Sequence, residues 1–407
     1  MIKLNLATMK NKFLLGLAIT ATLFTSCGED NTADIIITDN SNTSITNNNN
    51  TGGSTGQTIL LNSDITSSVT FDSRNTYILD GPVVVRSGST LTIPAGMTVR
   101  ANKGTEVYLA IEQGAKIIAE GTPSAPVVFT SNATAPNAGD WGGLILLGKA
   151  PINSVDGTTS TTATSEIANL PYGGSDAADN SGSLLYVRVE YSGGKVDGQS
   201  ENNGISFYGV GNGTRVEYVQ VFEGLDDGLE FFGGTVNVNY ASVVNADDDS
   251  IDWTEGYTGT LTNIYVKQNV DGDKAFECDG YNTDIGNNSN PIYFSKPTIT
   301  NVTIEGLGSA SGREAVRLRA GTQGIFSNVS ITGYAEGFDL DGDAGSNPTG
   351  AGVLSGDLNV NSVIFTDVTL NMKNDTGETF TEADFLTVDA NATGTDYATW
   401  GAGWTRQ

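Results

Sequence analysis

Residues 216–237 read VEYVQVFEGLDDGLEFFGGTVN, and residues 238–260 read VNYASVVNADDDSIDWTEGYTGT. Each stretch contains a short alternating strand, a turn with consecutive Asp residues, a second short strand with an acidic middle residue, and a Gly-Thr turn. Alternation over a few residues, broken by Gly or Asn, is typical of short, half-buried β-strands. Two such strands that recur with a basic spacing of 22–25 residues, and with longer gaps where loops are inserted, predict a parallel β-helix in which each coil stacks on the next.

Both strand types recur through the second half of the chain. The first recurs at residues 187–189, 219–221, 241–243, 264–266, 302–304 and 329–331, and the second at residues 205–207, 229–231, 251–253, 276–278, 316–318 and 338–340. Leucine-rich repeats have a similar period but need a Leu/Asn pattern that is missing, and a propeller needs a longer repeat. The predicted fold class is therefore all-β, a right-handed parallel β-helix, with the hand taken from that of parallel crossovers.

The charge and composition exclude several functions. The chain has 47 acidic and 20 basic side chains, a net charge of −27, and no histidine. Nucleic acid is excluded as a partner, because affinity for phosphate needs a Lys/Arg surface. Without histidine, Ser-His-Asp and Cys-His catalysis are excluded and a catalytic zinc site is disfavoured. Divalent cations such as Ca²⁺ are the natural counterions of so acidic a surface.

The first 57 residues predict an export signal followed by a tether. The apolar run from Phe13 to Phe24 is too short to span a bilayer, which indicates a signal peptide over residues 1–26. Residues 23–27 (LFTSC) resemble a bacterial lipobox, which implies lipidation of Cys27; a plain secretory signal with an incidental cysteine is the alternative. Residues 27–57 are largely polar and predict a flexible tether. The expected location is the outer membrane of a Gram-negative bacterium, at the cell surface, with the lipid on Cys27 as the anchor.

The remaining chain is expected to contain a β-helix over residues 58–379 and a C-terminal cap over residues 380–407. A solenoid needs an end cap over the open edge of its last coil, and Trp400 and Trp404 are assigned to it rather than to a ligand platform. Polar insertions interrupt the coils and are expected to be surface loops, where solenoids usually carry their binding function. They lie near residues 151–182, 280–296 and 341–358.

Several motifs resemble those of bacterial surface proteins. They lie at residues 91–96 (LTIPAG), 114–122 (GAKIIAEGT), 126–131 (PVVFTS), 141–148 (WGGLILLG), 226–228 (DDG) and 248–253 (DDSIDW). The first three are similar to the N-terminal coils of surface β-helix proteins. The last three resemble a family of Bacteroidota surface lipoproteins with right-handed parallel β-helix repeats of the pectin-lyase-like fold. The resemblance spans residues 77 to about 340; it implies a fold and a location but no established activity.

Acidic residues concentrate at one corner of the predicted coil. Equivalent positions of successive coils lie about 4.8 Å apart, so these carboxylates are expected to stack. At 5 Å, two such charges repel by about 0.8 kcal/mol in water and roughly 3 kcal/mol at an effective dielectric of 20. The groups can be solvated, pair with Lys274 and Arg317, or bind Ca²⁺. The candidate Ca²⁺ ligands are Asp226, Asp227, Glu230, Asp248, Asp249, Asp252, Asp271, Asp273 and Glu277.

The middle residues of the second strand are expected to form one outward column. It contains Ser206, Glu230, Asp252, Glu277, Arg317 and Asp339. The flanking positions point inward, so Trp253 and Cys278 are predicted to lie in the core. Tyr257 and Tyr281 follow the strand and are predicted to be exposed aromatic contacts for a ligand.

Three functions remain open. The preferred hypothesis is a cell-surface binding or adhesion module for glycans, with a polysaccharide ligand and possible help from Ca²⁺. The second is a polysaccharide lyase or hydrolase, because a lyase could use Lys274 or Arg317 as its base and a hydrolase could use paired carboxylates. The third is a purely structural surface protein. A shared fold does not decide among them.

Overall fold

The computed structural model describes residues 56–153, 162–195, 202–283, 291–342 and 348–407. The predicted signal peptide, Cys27 and nearly all of the predicted tether lie outside the described residues. Within the described ranges, no helix has the length and apolar character needed to cross a membrane.

The regular secondary structure of the described chain is almost entirely β-strand, with three short α-helices. The strands are β1 (Thr58–Leu61), β2 (Val69–Thr70), β3 (Thr76–Leu79), β4 (Val83–Val85), β5 (Thr90–Ile93), β6 (Thr98–Ala101), β7 (Leu109–Ile111), β8 (Lys116–Glu120), β9 (Val127–Ser131), β10 (Leu144–Leu147), β11 (Thr162–Thr164), β12 (Pro171–Gly173), β13 (Gly182–Glu190), β14 (Ile205–Tyr208), β15 (Arg215–Phe222), β16 (Leu229–Phe232), β17 (Asn237–Val244), β18 (Ile251–Thr254), β19 (Thr260–Lys267), β20 (Phe276–Asp279), β21 (Thr298–Glu305), β22 (Glu314–Arg319), β23 (Gly324–Asp341), β24 (Leu358–Asp375) and β25 (Leu386–Val388). The helices are α1 (Pro348–Ser355), α2 (Glu382–Phe385) and α3 (Tyr397–Trp400), with a 3₁₀ turn at Ser309–Ser311.

Successive coils pair in parallel and in register, which confirms the predicted all-β parallel β-helix. The strands β14, β16, β18, β20 and β22 each pair with the next and form what we call the short-strand face. The longer strands β13, β15, β17, β19 and β21 stack in the same way and supply the two other faces. A residue in the left-handed α conformation bends each long strand at its middle, as Tyr218 does with φ of 54°.

One hydrophobic core fills the interior along the whole stack, from Phe71 to Leu386. Trp253 and Cys278 are completely buried in it, as the alternation predicts. Aromatic rings of neighbouring coils stack inside it; the ring centroids of Phe207 and Phe231 lie 5.0 Å apart. The period-2 pattern thus places one face of the strands that form the coils against this core.

The C-terminal residues 395–407, which we call the C-terminal strap, lie along the flank of the stack. The Tyr397 ring stacks on Tyr265 with centroids 3.8 Å apart, and Trp404 meets the edge of Tyr186 at 5.5 Å. The assignment of Trp400 and Trp404 to an end cap is therefore wrong. The tyrosine rings that stack along the flank form an aromatic surface, and both indoles pack against it. Phe385 of α2 lies against the last coils instead, with its ring 5.4 Å from that of Phe338.

Two of the predicted surface loops contain regular structure. In the first insertion, β11 and β12 form an antiparallel pair. Its apolar residues Ile167, Leu170 and Tyr172 pack on the outside of the short-strand face, against Tyr208 and Phe232. The third insertion contains α1. These segments carry enough apolar surface to pack on the coils, which a reading based on their polar composition overlooked.

Candidate binding face

The short-strand face brings the predicted column together. Glu230 lies opposite Asp252, and Asp252 lies opposite Glu277, in consecutive parallel pairs. The column extends to Ser206 at one end and through Arg317 to Asp339 at the other. The carboxylates of neighbouring coils are therefore spatial neighbours, as the repeat predicts.

These stacked carboxylates form clusters whose oxygen atoms lie within 4.8 Å of one another. The clusters in the described residues that belong to this corner are Asp226–Asp227–Asp248, Asp227–Glu230–Asp252, Asp248–Asp249–Asp273 and Asp249–Asp252–Glu277. Eight of the nine candidate Ca²⁺ ligands are thus brought together. The ninth, Asp271, is exposed and joins none of these clusters.

Two turn aspartates also connect consecutive coils. The backbone N–H of Asp249 donates to Asp227 Oδ1 at 3.0 Å, and the N–H of Lys274 donates to Asp249 Oδ1 at 2.8 Å. Each aspartate therefore caps a turn of the following coil, where backbone donors would otherwise be unsatisfied. This structural role accounts for Asp at these positions without any ligand.

Lysines neutralise part of the charge in the turns. Lys195 Nζ lies 3.3 Å from Asp226 and 3.6 Å from Asp248. Lys274 is 4% exposed, and its Nζ lies 3.1 Å from Glu277 and 3.8 Å from Asp249. Burial alone would lower the pKa of Lys274, but the surrounding carboxylates raise it above its usual value.

The cluster of Asp227, Glu230 and Asp252 has no such partner. Within the described ranges, no lysine or arginine forms an ion pair with any of the three. Burial and then the neighbouring carboxylates raise the pKa of Glu230 and Asp252 well above the usual range. A cationic group placed among these three carboxylates would therefore be strongly favoured.

A pocket of about 150 Å³ opens beside this cluster. Its lining combines residues of the short-strand face, such as Asp252, with residues of the first two insertions, such as Glu166 and Asn282. It is lined by Glu166, Glu230, Phe232, Asp252, Thr254, Asp279, Asn282, Thr283 and Arg319. The insertions therefore shape the site, as expected for a solenoid.

Among the residues that the structure describes, two buried acceptors in this pocket have no hydrogen-bond partner: Asp252 Oδ1 and Thr254 Oγ1. Thr254 is 7% exposed and lies two residues after Asp252 on β18, so both side chains face the pocket. Burying a polar atom without a partner costs about 1–3 kcal/mol, so these atoms are suited to accept hydrogen bonds from a ligand. Sequence reasoning missed Thr254, because its neighbours in the pocket, such as Glu166 and Asn282, come from insertions whose position the repeat does not predict.

Of the two predicted aromatic contacts, the structure buries one completely and the other partly. Tyr257 is completely buried, which contradicts its assignment as an exposed contact. Glu255 and Gly256 both adopt positive φ, so the chain turns back into the core and the Tyr257 hydroxyl donates to Val236 O at 2.8 Å. Tyr281 is half-buried, and its ring lies 6.2 Å from that of Phe294.

The two candidate catalytic bases do not reach the pocket. Lys274 is buried among the turn carboxylates, and Arg317 pairs with Glu314 and Asp341. The pocket contains Arg319 instead, whose guanidinium donates to Glu277 at 2.5 Å and to Asp279 at 2.6 Å. Every one of these three bases is therefore already engaged by carboxylates.

Comparison with solved structures gives distant likenesses. The catalytic unit of a thermostable GH87 alpha-1,3-glucanase from Streptomyces thermodiastaticus has a TM-score of 0.33 and 12% identity, over 80% of this chain and 65% of that one. The catalytic domain of a GH87 alpha-1,3-glucanase in complex with nigerose has a TM-score of 0.31 and 13% identity, over 84% and 64%. A family 28 exopolygalacturonase from Yersinia enterocolitica has a TM-score of 0.16 and 12% identity, over 76% and 74%. The chain spans slightly less than two thirds of the glucanase chains, and similarity at this level does not indicate function.

No curated protein sequence matches the chain. The family model described as a pectate-lyase-like beta helix domain does match it, over residues 63–405. That range includes the strands from β2 to β25 and all but the last two residues of the C-terminal strap. The chain therefore belongs to the family of pectate-lyase-like β-helix domains.

Proposed function

We propose that this protein is a glycan-binding module of the cell surface and that the pocket on the short-strand face is its binding site. The observation that carries the proposal is the pair of buried, unpartnered acceptors, Asp252 Oδ1 and Thr254 Oγ1, in a pocket lined by other polar groups. Sugar hydroxyls are donors of the kind these atoms lack. Membership of a β-helix family with a pectate-lyase-like description is consistent with a carbohydrate ligand.

Binding is tested with a panel of polysaccharides and with two variants that keep the shape of the site. Thr254→Val and Asp252→Asn should each weaken glycan retention at least tenfold in affinity electrophoresis or calorimetry. Asp80→Asn is the matched control, because Asp80 is an exposed acid on an N-terminal coil. If both pocket variants bind a glycan as tightly as the parent does, the pocket is not the site.

A hydrolase is the second candidate, and one observation favours it. Glu230 and Asp252 belong to one cluster with oxygens within 4.8 Å of one another, and both have raised pKa values. A general acid with a raised pKa, beside a second carboxylate roughly 5–5.5 Å away, is the arrangement of retaining glycosidases. Release of new reducing ends that stops in Asp252→Asn would establish hydrolysis, whereas retention without product supports the binding module.

We also propose a role for Ca²⁺ at the turns, next to the pocket. Asp248 belongs to two clusters of hard oxygen ligands, one with Asp226 and Asp227 and one with Asp249 and Asp273, and the side chains of Asp248 and Asp273 are 38% and 59% exposed. Water can therefore complete the six to eight ligands that Ca²⁺ prefers. A cation at this corner would offset the excess of carboxylates over Lys195 and Lys274 and would stabilise the stacked coils.

The Ca²⁺ proposal is checked by thermal unfolding. Millimolar Ca²⁺ should raise the melting temperature and EDTA should reverse the rise, because a ligand at 100 times its Kd stabilises by about 2.7 kcal/mol. Asp248→Asn should reduce the shift. A melting temperature that is the same with millimolar Ca²⁺ and with EDTA would contradict a role for Ca²⁺ at the turns.

The proposal also includes a location at the cell surface, with a lipid on Cys27 as the anchor. A lipid on Cys27, followed by a polar tether of some 30 residues, would place the body roughly 30 Å from the membrane. Metabolic labelling with a fatty-acid analogue should modify the parent and leave Cys27→Ser unlabelled. Labelling of both proteins, or of neither, would contradict a lipid anchor at this residue.

A further inference from the structure

The pocket on the short-strand face is strongly acidic in its lining. Its described lining contains the carboxylates of Glu166, Glu230, Asp252 and Asp279, together with the guanidinium of Arg319. That guanidinium already pairs with Asp279 and with Glu277, which lies beside the pocket. The positive charge of Arg319 is therefore shared by two carboxylates, and the field in the pocket is negative.

The negative field in the pocket determines which classes of sugar can bind there. The carboxylate of a uronic acid would approach several like charges at short distance, each of which costs on the order of 3 kcal/mol at 5 Å and an effective dielectric of 20. A single divalent cation at the turns would not reverse the sign, because the carboxylates at this corner far outnumber Lys195, Lys274 and Arg319. Acidic glycans are therefore disfavoured with or without Ca²⁺.

The hydrogen-bonding groups of the pocket favour a positively charged ligand. An ammonium group has three donors and no acceptor. The pocket offers two buried acceptors without a partner, Asp252 Oδ1 and Thr254 Oγ1, beside the carboxylate of Glu230. Thr254 is an uncharged residue that is only 7% exposed, so this observation is independent of the acidic cluster. A protonated amine would satisfy both acceptors and would also balance the unpaired charge.

We propose that the pocket recognises a glycan with free amino groups, and that one protonated amine lies between Glu230, Asp252 and Thr254. This inference rests on the proposed glycan-binding function and specifies the class of its ligand. Charge-assisted hydrogen bonds are about twice as strong as neutral ones, so the amine is the part of the ligand that decides specificity.

The test compares three oligosaccharides of equal length by calorimetry on the full-length protein. They are a β-1,4-linked glucosamine oligomer, its fully N-acetylated form and a galacturonic acid oligomer. The free amine should bind at least tenfold more tightly than the acetylated form, and the uronate should show no binding with or without Ca²⁺. Asp252→Asn should abolish the preference for the amine, and Thr254→Val should weaken amine binding. Asp80→Asn should leave both unchanged, and circular dichroism verifies that each variant is folded.

The outcomes separate the inference from the function on which it rests. Equal affinity for the amine and the acetylated form, or binding of the uronate, would overturn the amino-sugar inference while leaving the pocket as a glycan site. Absence of binding to all three oligosaccharides and to the polysaccharide panel would overturn both. Preference for the amine that survives unchanged in Asp252→Asn would place the ammonium elsewhere and would also overturn the inference.

Discussion

At the scale of single residues, Lys274 holds the most consequential charge in the acidic corner. It is 4% exposed, and its ammonium lies among Asp249, Asp273 and Glu277. Removal of one partner of a buried ion pair typically costs 3–5 kcal/mol, because the remaining charge stays buried without compensation. Lys274 is therefore better described as a structural counter-ion than as the catalytic base that the sequence suggested.

We predict that Lys274→Met lowers the free energy of unfolding by about 3–5 kcal/mol. Methionine keeps much of the apolar stem, so the loss measures the charge rather than a cavity. Chemical denaturation followed by circular dichroism checks the prediction. Lys267→Met is the matched control, because Lys267 is exposed at the end of β19 and should change stability by less than about 0.5 kcal/mol. Equal effects of the two substitutions would contradict the structural role.

Glu314 gives a prediction about pH. Burial, followed by its hydrogen bond with Asp339, raises the pKa of Glu314 to about 7 in the folded protein. Glu336, Arg317, Lys373 and Lys274 are charged groups that also lie around this pair. Because the folded state binds this proton more tightly than the unfolded state does, the stability contributed by Glu314 falls as pH rises from about 4.5 to about 7.

Glu314→Gln should therefore raise the melting temperature at pH 8 and have little effect at pH 4. Glutamine keeps a donor for Asp339 at every pH, as the protonated glutamic acid does only at low pH. The expected gain at high pH is about 1–3 kcal/mol, given 1.36 kcal/mol per pKa unit. Melting curves recorded between pH 4 and pH 8 test this expectation. A gain of the same size at both pH values would contradict the raised pKa of Glu314.

At the scale of elements, the bend in each long strand depends on one left-handed residue per coil. Tyrosines occupy the column in the early coils, and Asn263, Asn301 and Asn328 occupy it later with φ of 55–58°. Their side-chain amides form a ladder: Asn263 donates to Asn239 at 3.0 Å, Asn301 to Asn263 at 3.0 Å and Asn328 to Asn301 at 2.8 Å. Asn suits this column because it tolerates the left-handed region and bonds along the stack.

Two substitutions at Asn301 should separate these contributions. Asn301→Ala loses both ladder bonds of this residue and replaces Asn with a residue that does not tolerate the left-handed region well, at a total cost of roughly 2–4 kcal/mol. Asn301→Gly loses the same two bonds without that strain and should be the more stable of the two, the reverse of the order in an ordinary strand. Denaturation midpoints compare the variants, and an alanine variant at least as stable as the glycine variant would show that backbone strain is unimportant here.

The elements also show what can be predicted from this sequence. The column of Glu230, Asp252 and Glu277 was predictable because an unbroken period converts sequence register into spatial register. The buried position of Tyr257 was not, because it depends on the left-handed turn at Glu255 and Gly256. The Asn ladder could have been found, since Asn precedes the same strand in three successive coils. The pocket acceptor Thr254 could not, because its neighbours in the pocket, such as Glu166 and Asn282, come from insertions that do not repeat.

At the scale of the whole molecule, the C-terminal strap connects coils that are far apart in sequence. Arg188 donates to Trp404 O, and Arg406 lies over the Phe222 ring at 4.5 Å with an ion pair to Glu190 at 3.3 Å. In a solenoid each coil otherwise contacts only its neighbours, so stability is local. The strap therefore adds long-range coupling to an otherwise one-dimensional fold, and no local sequence pattern could reveal it.

Because the strap lies along the flank, its loss should open other coils than those that an end cap would protect. Trp404 is 1% exposed against β13 and β15, and replacement of a buried Trp by Ala typically costs 3–5 kcal/mol. Trp404→Ala should therefore speed amide hydrogen exchange first in β13 and β15, while β24 stays protected. Phe385→Ala is the reciprocal control and should expose β24 while β13 stays protected, because Phe385 packs on the last coils. If Trp404→Ala instead opened β24 before β13, the strap would act on the end of the stack, and its proposed role as a brace along the flank would fail.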